Sequence, residues 1–182
     1  GRLLLAAEYQ PNPMIRAYDT TTWEEIYHIN SPLEDKSIMD IEFSPDDTIV
    51  AIAGGLSNVR LFNTTSWDLI GEFPIQNWQG FSFSPDGNYF SYVKKETHPR
   101  ELIIRDMNDG SEIIKTLNGT SDRIEISFSP DSTQIAILRD NSGNTIYCSD
   151  CTPPAGHDFG GLQVYRLDTW QLVLEFDCPS RE

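Results

Sequence analysis

The side chains best suited to chemistry lie near the carboxyl end of the chain. Cys148 and Cys151 form a Cys-x-x-Cys pair, and His157 follows shortly after them. Thiolates and imidazoles are usual ligands of tetrahedral zinc, but a fourth ligand is needed, and only Cys178 or Asp158 could supply it. A disulfide between two of the three thiols, or three free cysteines, fits the same residues. These residues are therefore weak metal candidates, and we predict neither a metal site nor a cofactor.

Recognised catalytic motifs are missing from the sequence. Its histidines are His28, His98 and His157. None of them accompanies a Gly-x-Ser-x-Gly elbow, a His-Glu-x-x-His pair or a glycine loop that cradles phosphate. The carboxylates are scattered over turns and alternating strand positions, which is typical of a solvated surface. We therefore predict no catalytic residue and no enzymatic activity.

The charge of the chain disfavours two classes of partner. Thirteen Lys and Arg residues stand against 28 Asp and Glu residues, for a net charge of −15. Such a surface repels phosphate backbones and anionic membrane faces. No apolar run approaches the roughly 18 residues that a spanning helix needs. We predict no nucleic-acid partner and no membrane insertion, while the three cysteines fit a reducing or an oxidising compartment.

An internal repeat decides the fold prediction. The motif Phe-Ser-Pro-Asp occurs three times, beginning at Phe43, Phe83 and Phe128. Each copy follows a strand with alternating apolar residues, and proline fixes φ at the first corner of the turn that comes next. A nearly continuous apolar strand follows, as in residues 49–53, which suits burial on both faces.

The second half of the unit repeats as well. A further strand runs into a cluster of small polar residues that ends in Trp23, Trp67 or Trp170, with Asp109-Gly110 in the third unit. Each cluster predicts a hairpin turn, and an outer strand closes the unit. Four strands in about 40–45 residues is the period of a propeller blade. The sequence predicts an all-β chain of four-stranded antiparallel blades.

At this point the chain resembles the WD-repeat family of β-propellers. The Phe-Ser-Pro-Asp turns match, and the segments that end at Tyr18-Asp19, Phe62-Asn63 and Arg105-Asp106 stand where that family has its Trp-Asp dipeptide. No blade opens with Gly-His or ends its third strand with Trp-Asp, so the blades are divergent. Related propellers, such as those of TolB-like proteins and prolyl peptidases, carry similar turns. The resemblance implies a scaffold that binds protein without catalysis.

The repeat places four blades, at about 1–35, 36–76, 77–120 and 121–178. The first is incomplete, because residues 3–7 already match the second strand of the others. The simplest interpretation is a fragment of a longer propeller that leaves two blade edges open for self-association. A four-blade ring, or a ring completed between chains, is the alternative.

Two insertions interrupt the repeat, Lys94–Glu101 and Asp140–Gly161. The resemblance implies that both lie on a rim where partners bind, since loops on a rigid scaffold often carry function. A tolerated surface insertion is the plainer alternative. The predicted contact residues for a protein partner are His98, Arg100, Asp150, His157, Asp158 and Phe159. The alternative function is the propeller portion of a larger enzyme or sensor, for example a peptidase or kinase, that recognises or gates substrate.

Overall fold

The described chain is entirely β-structure. The computed structural model describes residues 2–8, 14–30, 38–54, 58–75, 80–94, 97, 99–117, 123–140 and 161–177. Within those ranges it contains fifteen strands and no helix, so nothing there has the length and hydropathy of a helical membrane span. The all-β prediction is confirmed.

The strands form four antiparallel sheets, which we call blades. Blade 1 is β1 (Leu3–Glu8), β2 (Met14–Asp19) and β3 (Glu25–Asn30). Blade 2 is β4 (Ile38–Phe43), β5 (Ile49–Gly54), β6 (Asn58–Asn63) and β7 (Leu69–Pro74). Blade 3 is β8 (Phe81–Phe83), β9 (Tyr89–Val93), β10 (Arg100–Asp106) and β11 (Glu112–Leu117). Blade 4 is β12 (Arg123–Phe128), β13 (Gln134–Asp140), β14 (Gly161–Arg166) and β15 (Leu172–Asp177).

Every blade is a meander in which consecutive strands pair. The first and third turns of a complete blade therefore lie at one end of its strands, here called the turn end. The connection between the second and third strands lies at the opposite end, called the connection end. A hydrogen bond at the turn end shows which strand of a complete blade β1 corresponds to. The Thr20 amide, just after β2, donates to the carbonyl of Arg2, just before β1. In blade 2 the Thr64 amide, just after β6, donates in the same way to the carbonyl of Thr48, just before β5. β1 thus holds the place of a second strand, and the described part of blade 1 has three strands, as predicted.

The Ser-Pro-Asp motif closes the first turn with its own side chains. In blade 3 the Ser84 hydroxyl donates to the Asp86 carboxylate at 2.6 Å and accepts the Tyr89 amide at 2.9 Å. The same carboxylate accepts the Asn88 amide at 3.0 Å. Ser44 and Ser129 repeat this arrangement in blades 2 and 4. The motif recurs because the turn needs both side chains.

The second turn-end hairpin contains a residue with left-handed backbone. That residue is Trp23, Trp67 or Trp170, with φ of 60°, 62° and 56°, and Gly110 in blade 3 with φ of 76°. Positive φ is uncommon for a bulky side chain, because its Cβ crowds the neighbouring carbonyl. The sequence predicted the hairpins but not this conformation. Of the three tryptophans with this backbone, Trp67 and Trp170 are partly buried and Trp23 is exposed.

The chain divides into two compact units, Gly1–Trp78 and Gln79–Glu182. The first unit has a buried apolar cluster to which blades 1 and 2 both contribute: Ile15, Ile38, Val50, Ile52 and Phe62. The second has a cluster from blades 3 and 4: Val93, Leu102, Ile104, Leu117, Ile124, Phe128, Ile135 and Ile137. Residues 50–54 of β5 are buried without interruption, as expected for a strand covered on both faces.

Candidate functional site

The predicted metal and contact residues lie mostly outside the described ranges. Cys148, Cys151 and Cys178 do so. The same holds for the predicted contact residues His98, Asp150, His157, Asp158 and Phe159. Within the described ranges, no group of three His, Cys, Asp or Glu side chains could hold a metal ion. The zinc, disulfide and loop-contact hypotheses therefore stay predictions.

At the connection end of blade 3, contacts are described for Lys94, Thr97 and Glu101, which lie at or between the ends of β9 and β10. The Lys94 amide donates to the Glu101 carbonyl at 2.9 Å, and the two side chains form an ion pair at 3.8 Å. The Thr97 hydroxyl accepts the Glu101 amide at 3.1 Å. Arg100, the described member of the predicted contact set, is buried opposite Leu117. Lys94 and Glu101 are therefore more accessible to a partner at this end than Arg100 is.

The motif carboxylates have structural roles in the turns. The Ser44 hydroxyl and then the Thr48 amide hold the pKa of Asp46 below its usual value, and Asp131 has the same pattern of donors. Burial alone would raise the pKa of Asp86, but bonds from Ser84 and Asn88 outweigh it and the pKa is lowered. Carboxylates that stay ionised at neutral pH are unsuited to act as general acids.

An open groove lies at the turn end of the first unit. Its volume is about 630 Å³, and residues from both blades line it: Arg2, Leu3, Asp19, Ile26, Tyr27, Asp47, Thr64, Thr65, Ser66 and Trp67. The polar members come from the turns, while Ile26 and Tyr27 stand at the start of β3. Ile26 is half-exposed because it occupies a bulge, where the pairing with β2 skips one residue.

The groove has a stacked aromatic pair. The rings of Tyr27 and Trp67 are parallel within 4°, with centroids 4.4 Å apart. Trp67 thus has a left-handed backbone in the blade 2 hairpin and a ring that stacks on a residue of blade 1. Such a stack adds about 0.5–1.5 kcal/mol to the burial of the two rings. It fixes the position of an apolar surface that is otherwise rimmed by polar turns.

The groove is mildly acidic at its edge. The pKa of Asp19 is lowered, chiefly by the hydrogen bond from the Thr21 amide and also by Arg2, whose Nε donates to the carboxylate at 3.0 Å. Asp47 adds a second carboxylate on the blade 2 side. The lining contains one basic side chain, Arg2, which is paired with Asp19, and a second acidic side chain, Asp47, so the electrostatics favour a ligand that presents an apolar group beside a positive charge.

The sequence pattern predicts a hairpin turn for Trp67 and Thr64–Ser66 and an outer strand for Tyr27, but no role in binding for either. One signal was present: a tryptophan ends the polar cluster in three of four units, although turns rarely favour that residue. The structure gives two of these tryptophans a packing role: Trp67 stacks on Tyr27, and Trp170 packs against the cluster of blades 3 and 4.

The comparisons with known proteins identify the fold. No protein-family profile matches the sequence, and no curated protein matches it. Solved structures do match. Hsv2 of Kluyveromyces lactis is 10% identical, with a TM-score of 0.70 over 97% of this chain and 48% of that chain. Hsv2 of Kluyveromyces marxianus is 12% identical, with a TM-score of 0.65 over 90% of this chain and 45% of that chain.

The chain therefore spans about half the length of the propeller structures it matches. At these identities the likeness concerns the fold alone. Both comparisons agree with the antiparallel sheets described above. The predicted architecture is confirmed: this chain has the β-propeller fold.

Proposed function

We propose that this chain is a propeller of the WD-repeat type that binds another protein and performs no chemistry of its own. The type rests on the three Ser-Pro-Asp turns and on the strand ends at Asp19, Asn63 and Asp106. The side chains that recur in the blades are used for structure: the motif serines and aspartates bond to one another and to the turn backbone. The same hydrogen bonds, repeated in blades 2, 3 and 4, make the frame rigid.

The observation that carries the proposal is the groove at Tyr27 and Trp67. Protein interfaces concentrate binding free energy in a few apolar or aromatic side chains surrounded by a polar rim. The groove has this composition, because Ile26 and the ring stack form its apolar part and Arg2, Asp19 and Asp47 its rim. The occupant we propose is a protein segment that places an apolar side chain on Ile26 and a lysine or arginine near the two carboxylates.

The predicted rim at the connection end is a second surface of the same scaffold. It carries the insertions Lys94–Glu101 and Asp140–Gly161, with the contact residues predicted there. In each blade this end is opposite the turn end. Substitutions at the two ends can therefore be tested separately.

The test begins with a purified partner. Proteins retained by the immobilised chain from an extract of its source are identified, and the most abundant specific one is purified for titration. Ile26→Asp places a charge in the groove, and Ile70→Asp is its matched control. Ile70 occupies the same bulge position in blade 2, is 51% exposed against 50% for Ile26, and does not line the groove.

A third variant replaces residues 142–160 by a short Gly-Ser linker. We expect Ile26→Asp to weaken binding at least about tenfold, which corresponds to 1.4 kcal/mol, while Ile70→Asp leaves it unchanged. Loss of binding only in the linker variant would move the contact to the connection end and keep the scaffold. A partner that binds all folded variants equally, or the absence of any specific partner, would refute the proposal.

A further inference from the structure

One of the four outer strands has an unbroken pairing register. β11 of blade 3 pairs with β10 over six consecutive residues, from Glu112 to Leu117. In blades 1, 2 and 4 the pairing of the outer strand skips one residue at a bulge. The outer strand of blade 2 also ends in Pro74, which has no amide hydrogen to donate. Bulges and prolines protect strand edges from pairing with other chains, and β11 has neither.

β11 directs alternate main-chain groups away from its own sheet. In an antiparallel pair, residues that exchange hydrogen bonds alternate with residues whose amide and carbonyl point to the other side. At the hairpin turn, the Asp106 amide donates to the Ser111 carbonyl at 2.9 Å, so the main chain of Ser111 points toward β10. The register continues from there without a shift. The residues whose amides and carbonyls face the open edge are therefore Glu112, Ile114 and Thr116.

Hydrogen bonds at the far end of β10 agree with this alternation. The Glu101 amide donates to the Thr97 hydroxyl at 3.1 Å, and the Glu101 carbonyl accepts the Lys94 amide at 2.9 Å. Both groups of Glu101 are thus used on the β9 side, away from β11. Thr116 is the partner of Glu101 in the register, so its own amide and carbonyl point outward.

The open edge of β11 is exposed to solvent. Glu112, Ile114 and Thr116 are all exposed, Ile114 by 56%. β11 is the last strand of its sheet, and none of the three residues lines the groove of the first unit. Further blades of a longer propeller would form sheets of their own, as the four described blades do, so they would not supply a strand here.

We propose that an extended segment of a basic partner protein adds to this edge as a fifth strand of blade 3. Three amides and three carbonyls at every second residue match the main chain of one extended segment. Charge selects the partner: a second copy with its own net charge of −15 is repelled, whereas a basic segment is attracted. Such a segment places a lysine or arginine opposite Glu112 and a β-branched side chain opposite Ile114, which are favourable cross-strand pairs.

The experiment uses a synthetic peptide, acetyl-Lys-Thr-Thr-Ile-Val-Lys-Lys-amide, as the probe for the added strand. When it runs antiparallel to β11, its isoleucine lies opposite Ile114 and its sixth residue, a lysine, lies opposite Glu112. The control peptide has the same sequence and charge, but the amides of those two residues are N-methylated and cannot donate. We expect the parent peptide to bind the wild-type chain and the control peptide to bind at least about tenfold more weakly, which corresponds to 1.4 kcal/mol.

Two variants of the chain test the same edge from the other side. Ile114→Pro removes an outward amide and no bond to β10, so the sheet should stay intact. Ile114→Val is the matched control, because it keeps both the amide and a β-branched side chain. We expect Ile114→Pro to bind the parent peptide at least about tenfold more weakly and Ile114→Val to bind within about twofold of the wild type. Circular dichroism establishes folding, and Thr116→Pro replaces Ile114→Pro if that variant does not fold.

Hydrogen exchange locates the added strand. The bound peptide should slow exchange of the Ile114 and Thr116 amides more than exchange of the Ile113 and Lys115 amides, which already bond to β10. Absence of binding, equal affinity for the two peptides, or unchanged exchange at the outward amides would overturn the proposal. A chain that associates with itself and slows the same amides without peptide would assign the edge to a second copy, and the basic partner would be wrong.

Discussion

Replacing Ser84 by alanine tests the role of the repeated turn. Ser84 is fully buried, and its hydroxyl makes two close hydrogen bonds, one donated to the Asp86 carboxylate at 2.6 Å and one accepted from the Tyr89 amide at 2.9 Å. Alanine removes both bonds but keeps the backbone bond between the Ser84 amide and the Tyr89 carbonyl. The turn should stay closed but lose the side-chain hydrogen bonds that stabilise it.

The two lost bonds set the size of the effect. A hydrogen bond to a charged group contributes about 1.5–3 kcal/mol, and a buried donor left without an acceptor costs about 1–3 kcal/mol. Asp86 is exposed, so water replaces part of the first bond, and we expect a total loss of about 2–4 kcal/mol. With a urea slope of about 2 kcal/mol per molar, the midpoint of unfolding should fall by about 1–2 M.

Urea denaturation and hydrogen exchange check this expectation. Ser66→Ala is the matched control, because Ser66 is exposed and its hydroxyl accepts one long bond, from the Asp68 amide at 3.3 Å. The control should change stability by less than about 0.5 kcal/mol. The Tyr89 amide should exchange faster in Ser84→Ala than in either the wild type or the control. Equal stabilities of the two variants, with unchanged exchange at Tyr89, would refute the structural role assigned to the motif.

Two further predictions concern the Asp46 carboxylate in the first turn of blade 2 and the tryptophans in the second turns of blades 1 and 2. The folded-state pKa of Asp46 lies below the ordinary pKa of an aspartate, so the stabilisation from its hydrogen bonds is complete above that ordinary pKa and is lost as pH falls through the folded pKa. Urea midpoints should fall below about pH 4, and they should fall less in Asp46→Asn; equal slopes would contradict this. Trp67→Gly keeps the left-handed backbone but loses the stack on Tyr27, so it should cost about 2–4 kcal/mol. Trp23 is 67% exposed, so Trp23→Gly should cost less than about 0.5 kcal/mol. Equal losses measured by thermal unfolding would show that the stack contributes no stability.

The repeated architecture could be predicted from the sequence because its signals are local. Alternation of apolar residues marks the strands, and proline marks the first corner of each turn. The identity of β1 as a second strand also followed from the repeat. Comparison of residues 3–7 with residues 49–53 was sufficient for that.

The groove and the left-handed backbone of the turn tryptophans could not be predicted in the same way. Bulky residues disfavour positive φ, so the sequence gives no reason to expect left-handed Trp23 or Trp67. The stack on Tyr27 joins residues of two sheets, 40 positions apart in the chain, and depends on how those sheets pack. The bulge that exposes Ile26 is set by pairing between β2 and β3, which alternation alone does not define.

Binding of a protein partner in the groove of the first unit can be measured with one pair of variants. The measurement is the equilibrium affinity of the purified partner for Ile26→Asp and for Ile70→Asp, two folded variants with the same substitution at equivalent, equally exposed positions. We expect Ile26→Asp to bind at least about tenfold more weakly than the wild type and Ile70→Asp to bind within about twofold of the wild type. Equal affinities for the two variants would show that the groove does not bind the partner.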